Sequence, residues 1–250
     1  MAIAYRGGGS NSSNGSTATT VVVTMSSTAQ SGDYLIATVN ADSSGAVRSW
    51  PAGFTERGLK DTNFGDGGVM AWADYVAGAS EPSTYTLGTT SNTHVAASVV
   101  AYSGVDNTTP RDVTPTSLET HDASSTVFSV PTTGLASGSA NRWLVFLGGL
   151  DNSSSGTVSN DISAQTTPAT WTERVDKSST DFANIAVCDV LDSAGTFTSA
   201  VTSSQTNTGS AGIATALGFL IALRSATGGG GANWLKQGYW WNHVYGNGRN

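Results

Sequence analysis

The chain has 250 residues, enough to bury a sizeable core in one large domain or two ordinary ones. A net charge of -7 with no basic stripe excludes a phosphate-backbone partner of the usual kind, and a single cysteine excludes a disulfide framework or a cysteine-based metal knuckle. Charged residues make up only 12%, against roughly 25% in an average globular protein, and thirty glycines accompany abundant Ser, Thr and Asn, a mixture suited to strands joined by tight loops.

Ile3 to Arg6 reads as a short opening strand, and Gly7 to Ser16 as a flexible Gly/Ser/Asn loop. Strand signals follow at Thr19 to Met25, Asp33 to Asn40, Phe54 to Leu59, Val69 to Ala77, Ser83 to Gly88 and Val95 to Ser103. Period-two alternation in the fourth of these puts Val69, Ala71, Ala73 and Tyr75 on one face and Met70, Trp72, Asp74 and Val76 on the other. Gly104 to Pro115 is polar and proline-punctuated and reads as a connection. Strands are expected again at Val127 to Val130, Arg142 to Gly149, Trp171 to Val175, Ala183 to Leu191, Thr196 to Val201 and Thr215 to Ser225.

The second series echoes the first. PAGFTERG (Pro51 to Gly58) returns as PATWTERV (Pro168 to Val175), YLIATV (Tyr34 to Val39) as WLVFLG (Trp143 to Gly148), AWADYV (Ala71 to Val76) as AVCDVL (Ala186 to Leu191), TYT (Thr84 to Thr86) as TFT (Thr196 to Thr198), and VVAYS (Val99 to Ser103) as LIALR (Leu220 to Arg224). Five matches in one order predict an internal duplication. The expected fold is all-β: two tandem jelly-roll or immunoglobulin-like antiparallel β-sandwich lobes, residues 1–110 and 111–225, with one large fused sandwich as the alternative. Residues 226–250 form a glycine linker and an extended aromatic tail. That tail holds Trp234, Leu235, Tyr239, Trp240, Trp241 and Tyr245, residue types favoured at interface hot spots, and is expected to bind a partner.

Catalytic motifs are missing: there is no GxSxG, no phosphate-cradling GxxxxGK[ST], no GxGxxG in strand-helix context, and His94, His121 and His243 lie far apart. No cofactor is expected. The paired Glu56-Arg57 and Glu173-Arg174 point to opposite faces of a strand, so they read as cross-strand ion pairs or solvated faces. Asp61 and Asp66, with Asp176 and Asp181 at the same spacing, are placed in hairpin loops where a hard cation could find oxygens, but loop-forming aspartate is the preferred reading and no metal is expected. Cys188 sits in an apolar alternation and is expected to be buried. The first residues lack a basic segment followed by an apolar one, so no secretory signal is expected, and the longest apolar run, Gly218 to Leu223, falls far short of the roughly 20 residues that span a bilayer.

GDYLIATVNA, PAGFTERG, YVAGASEPSTYTL and VVAYSGVDNTTP, with the opening MAIAYRGGGS, resemble β-sandwich structural proteins of tailed bacteriophages over roughly residues 1–225. The resemblance implies a non-enzymatic virion protein, made in the host cytoplasm and displayed on the particle as capsid decoration or as a tail or baseplate appendage. Its partners would be other virion proteins, in a symmetric assembly or homo-oligomer, without nucleic acid or membrane. The alternative is a lectin-like module for host glycans, in which Trp50, Phe64 or Trp171 stacks on sugar faces.

Overall fold

The computed structural model describes residues 2–13, 16–43, 45–62, 67–122, 127–131, 134–152, 158–161, 171–177, 183–207 and 214–226. Among them there is no helix, hence none long and apolar enough to cross a membrane. The first half supplies β1 (Ala4–Ser12), β2 (Ala18–Thr24), β3 (Tyr34–Ala41), β4 (Arg48–Ser49), β5 (Thr55–Thr62), β6 (Gly68–Val76), β7 (Thr84–Thr93) and β8 (Val95–Ser103). The second supplies β9 (Thr116–Asp122), β10 (Val127–Pro131), β11 (Arg142–Asn152), β12 (Val158–Asp161), β13 (Thr172–Lys177), β14 (Ala183–Asp192), β15 (Thr202–Asn207) and β16 (Ala214–Leu223).

All pairings between these strands are antiparallel. The first eight strands form a five-stranded sheet, β1-β8-β3-β6-β5, and a three-stranded sheet, β2-β7-β4. The last eight form β9-β16-β11-β14-β13 and β10-β15-β12, the same two orders with every number raised by eight.

Both large sheets are covered on both faces. The inner residues Leu35, Ala37, Val39, Val69, Val95, Ala97 and Val99 pack with Val21, Val23, Tyr85 and Leu87 of the small sheet. The opposite parity, including Ile36, Met70, Trp72, Val100 and Tyr102, packs instead against Val145, Leu147, Val187, Leu217, Phe219 and Ile221 of the other large sheet. Leu144, Phe146, Leu150, Cys188, Val190 and Leu220 point the other way, into a third core with Leu135, Phe197 and Val201. Burial on both sides explains why YLIATV and WLVFLG are near-continuous apolar runs rather than alternating ones.

Two expectations are corrected. β1 runs on through Gly7, Gly8 and Gly9 to Ser12, pairing with β8, so the glycine-rich stretch is strand and not loop. It crosses the end of β2 so closely that a Cβ at Gly9 would lie 2.0 Å from the Thr24 carbonyl oxygen, which is why that position has no side chain. Thr196 to Thr198, matched to Thr84 to Thr86 of β7, lies before β15 and outside any strand. Its backbone is held by side chains: Phe197 N–H donates to Asp192 and Phe197 C=O accepts from the buried Arg142.

Candidate functional site

The TER triplets meet their partners through a bulge that occurs in both halves. In the β5–β6 ladder the register passes from Glu56 opposite Ala73 to Gly58 opposite Trp72, leaving Arg57 as the extra residue. In the β13–β14 ladder it passes from Glu173 opposite Cys188 to Val175 opposite Val187, leaving Arg174 as the extra one. A bulge re-aims the side chain it inserts. Arg57 Nε thereby donates to Asp74 Oδ1 at 2.7 Å, and Arg174 Nε to Asp189 Oδ2 at 2.8 Å. Gly58 completes the first arrangement, because a Cβ there would sit 2.3 Å from Trp72 Nε1.

Both carboxylates are buried, at 4% and 0% exposure, and each also accepts a phenol. Tyr34 donates to Asp74 from the neighbouring strand of the same sheet. Tyr102 donates to Asp189 at 2.9 Å from the opposite half, across the contact between the large sheets. Burial, reinforced by the adjacent carboxylate, pushes both phenols above the ordinary tyrosine range, so they remain hydrogen-bond donors.

The two groups differ in their second cation. Arg111, in the connection between the halves, donates from Nη1 to Asp74 Oδ2 at 3.1 Å, while its guanidinium carbon lies 6.0 Å from the centre of the Trp72 ring. Asp74 therefore faces two arginines. Beside Asp189 it is Tyr5 of β1 that covers the arginine, its ring lying 4.5 Å from the Arg174 guanidinium carbon. Burial would lower the Arg174 pKa, but Asp189 more than offsets this and raises it. A cleft of about 300 Å³ opens over the first group, lined by Arg57, Arg111, Thr55, Tyr75, Asn107 and Thr108 among others.

Glu56 points away from this cleft, as strand parity requires, and accepts from Arg48 at 3.0 and 2.8 Å and from Trp50 Nε1 at 2.9 Å. Burial pushes its carboxyl up, but these bonds outweigh that and hold it below the usual range. Trp50 is thus half-buried against the first core with its indole N–H engaged. Trp171 packs against the third core, with Nε1 buried and without a hydrogen-bond partner among the described residues. Phe64 lies outside the described residues.

Asp61 and Asp176 stand in β5 and β13 rather than in hairpin loops, because both strands run further than turn-forming residues suggest. Asp61 accepts the Gly45 N–H at 3.0 and 2.9 Å. Asp66 and Asp181 fall outside the described residues, as do Trp234, Leu235, Tyr239, Trp240, Trp241 and Tyr245. Among the described residues, no three His, Cys, Asp or Glu side chains are grouped so as to hold a metal ion. His94 Nδ1 lies 3.3 Å from Asp42 Oδ2, and Cys188 is 2% exposed.

Tyr34, Asp74, Arg111 and Asp189 were not singled out by sequence motifs. A signal was present, since AWADYV over AVCDVL aligns Asp74 with Asp189, a charge kept in an apolar strand in both copies, just as TER aligns Arg57 with Arg174. Arg111 and Tyr102 carry no such mark, because their partners lie on distant strands.

No family model matches the chain, and no curated protein does. Among solved structures it is similar to a β-porphyranase of glycoside hydrolase family 86 from the human gut bacterium Bacteroides plebeius, at 10% identity and a TM-score of 0.23. The match covers 86% of this chain and 38% of that one, and a likeness of that extent carries no argument about fold or activity.

Proposed function

We propose that this chain is a non-enzymatic structural protein of a tailed-phage particle, built from a duplicated β-sandwich and displayed on the surface as capsid decoration or a tail or baseplate appendage. The observation that carries the reading is the use of the two conserved-in-both-copies ionic groups. Asp74 and Asp189 are each buried and each held by arginine and tyrosine, so these two carboxylates join strands and halves rather than standing poised as general acid or base. The repeated sheet order supports descent of both halves from one unit, and their shared core makes a stiff platform of the kind an exposed particle protein needs. Attachment to another virion protein is assigned to Trp234, Leu235, Tyr239, Trp240, Trp241 and Tyr245, on residue type alone. The test is deletion of everything after Gly228: loss of the protein from purified particles is expected, and incorporation at the full-length level would rule the anchor out.

Carbohydrate binding is the second reading, favoured by the open cleft over Arg57 and Arg111, which Thr55 and Thr108 also line. A glycan array probed with the full chain tests it.

A further inference from the structure

The arginines among the described residues are engaged to different degrees: Arg6 uses two guanidinium nitrogens on Asp33, and Arg174, covered by the Tyr5 ring, uses one on Asp189. Arg48, Arg142 and Arg224 are structurally engaged at all three guanidinium nitrogens. Arg48 binds Glu56 and the Ala46 carbonyl. Arg142 binds Asp192 and the carbonyls of Ala136 and Phe197, and Arg224 binds Asp112 and Thr109. Arg57 and Arg111 differ. Each uses one nitrogen on Asp74, and their remaining N–H groups meet no acceptor among the described residues. A guanidinium carries five N–H donors, so most of the hydrogen-bonding capacity of this pair is uncommitted. Their side chains are 38% and 29% exposed, and both line the same cleft.

Charge points the same way. Two guanidiniums face Asp74 in the cleft, while Glu56 and Asp112, which line the adjoining recess with them, are paired with Arg48 and with Arg142 and Arg224. The cleft thus has one positive charge more than it has carboxylates, in a chain whose net charge is -7. The second half provides the contrast, since there a single arginine faces one carboxylate and the aromatic ring of Tyr5 closes over it.

We propose that the cleft over Arg57 and Arg111 binds the carboxylate of an acidic sugar residue, a uronate-type unit of a longer glycan. A guanidinium edge carries a pair of N–H donors that suits a planar carboxylate, and both side chains line the cleft. Thr55 and Thr108 place hydroxyls beside them suited to ring hydroxyls, while the Asn107 amide on the rim already donates to the Gly32 carbonyl, and about 300 Å³ is at the lower end of small-molecule sites, enough for one sugar unit. An acidic peptide would supply the anion but leave that hydroxyl lining without partners. The surrounding negative charge of the protein opposes a polyanion, so binding is modest and weakens as salt is added. This inference rests on the carbohydrate-binding reading and specifies its site and ligand.

Isothermal titration of the full chain with oligogalacturonate, with an uncharged galactose oligomer of equal length and with polyglutamate, tests it. Saturable, salt-sensitive binding of oligogalacturonate alone is expected, weakened at least tenfold by Arg111→Gln. Thr55→Trp, at an exposed position, blocks the cleft while leaving every ionic partner in place, and is expected to have the same effect. It keeps the test valid if Arg111→Gln does not fold. Absence of oligogalacturonate binding, binding that Thr55→Trp leaves unchanged, or equal binding of polyglutamate would overturn the proposal. Glycan-array signals that survive Thr55→Trp would remove this site but leave carbohydrate binding standing; an array without signals would remove both.

Discussion

Tyr102 on β8 donates its hydroxyl to Asp189 on β14 at 2.9 Å, so one half of the chain completes the ionic group of the other. Asp189 is fully buried, and its Oδ1 has no hydrogen-bond partner among the described residues. Its charge therefore depends on few neighbours. Tyr102→Phe should cost about 1–3 kcal/mol, the range for leaving a buried acceptor unsatisfied. Arg174→Met should cost more, about 3–5 kcal/mol, because it strands a buried carboxylate, and adding Asp189→Asn should recover part of the loss. Urea denaturation measures all three, and a loss well under 1 kcal/mol for Arg174→Met would show that the pair does not hold this strand.

Asn40 ties the halves together without charge. Fully buried on β3, it donates from Nδ2 to the carbonyls of Leu150 and Asn184 at 3.0 and 2.9 Å. Asn40→Ala leaves both carbonyls without that donor in a dry contact and should cost about 1–3 kcal/mol. Asn11, half-buried on β1 and bonded to the Val22 carbonyl at 2.8 Å in a solvent-exposed contact, is the comparison, and Asn11→Ala should cost less, about 0.5–1 kcal/mol. Equal effects at the two sites would contradict a role for Asn40 between the sheets.

Stability should fall at both ends of the pH scale, for different residues. Burial raises the carboxyl of Asp112, but Ser139 and Arg224 more than offset this and lower it, as Arg48 and Trp50 do for Glu56. Carboxyls depressed in the fold contribute stability above their unfolded pKa, and this is lost as pH falls through the folded value. Tyr34 and Tyr102 are raised, so their contribution is complete below about pH 10, the ordinary tyrosine value, and declines as pH rises beyond it. Absorbance near 295 nm should show these two phenols ionising only together with unfolding, and Tyr102→Phe should remove amplitude from that late step alone.

Gly9 is expected to tolerate no side chain. With the Thr24 carbonyl 2.0 Å from where its Cβ would stand, Gly9→Ala must push β1 off the end of β2 and should lower stability by about 1–3 kcal/mol or more. Thermal unfolding of the variant checks this, and a wild-type melting temperature would show that β1 does not cross β2 this closely at Gly9.

Cys188, 2% exposed among Leu144, Phe146 and Leu220, should react with a thiol reagent only when the third core opens. The labelling rate should therefore follow denaturant in step with unfolding. Rapid labelling in native buffer would place Cys188 at the surface instead.

Strand content and face assignment were legible from the residues, because both depend on neighbours one or two positions away. Alternation in Val69 to Val76 separates Val69, Ala71 and Ala73 from Met70, Trp72 and Asp74 correctly, and buried Cys188 follows from its apolar setting. The opposite directions of Glu56 and Arg57 follow from parity in the same way. Glycine composition misled at Gly7 to Gly9, since a flexible loop and a strand in close contact with another backbone call for the same residue.

What covers each face was decided only by the tertiary structure. Period two says that β6 has two sides; it does not say that the side bearing Trp72 and Asp74 meets Phe219 and Arg111 of distant segments while the other meets the small sheet. The candidate site follows the same division. Arg57 and Asp74 stand in recognisable strands, but a one-residue bulge brings them together, and Arg111 arrives from a connection whose path is set by its bridge to Leu223. Local pattern determines which way a side chain points, whereas its partner is chosen by chain packing over separations that no local pattern encodes.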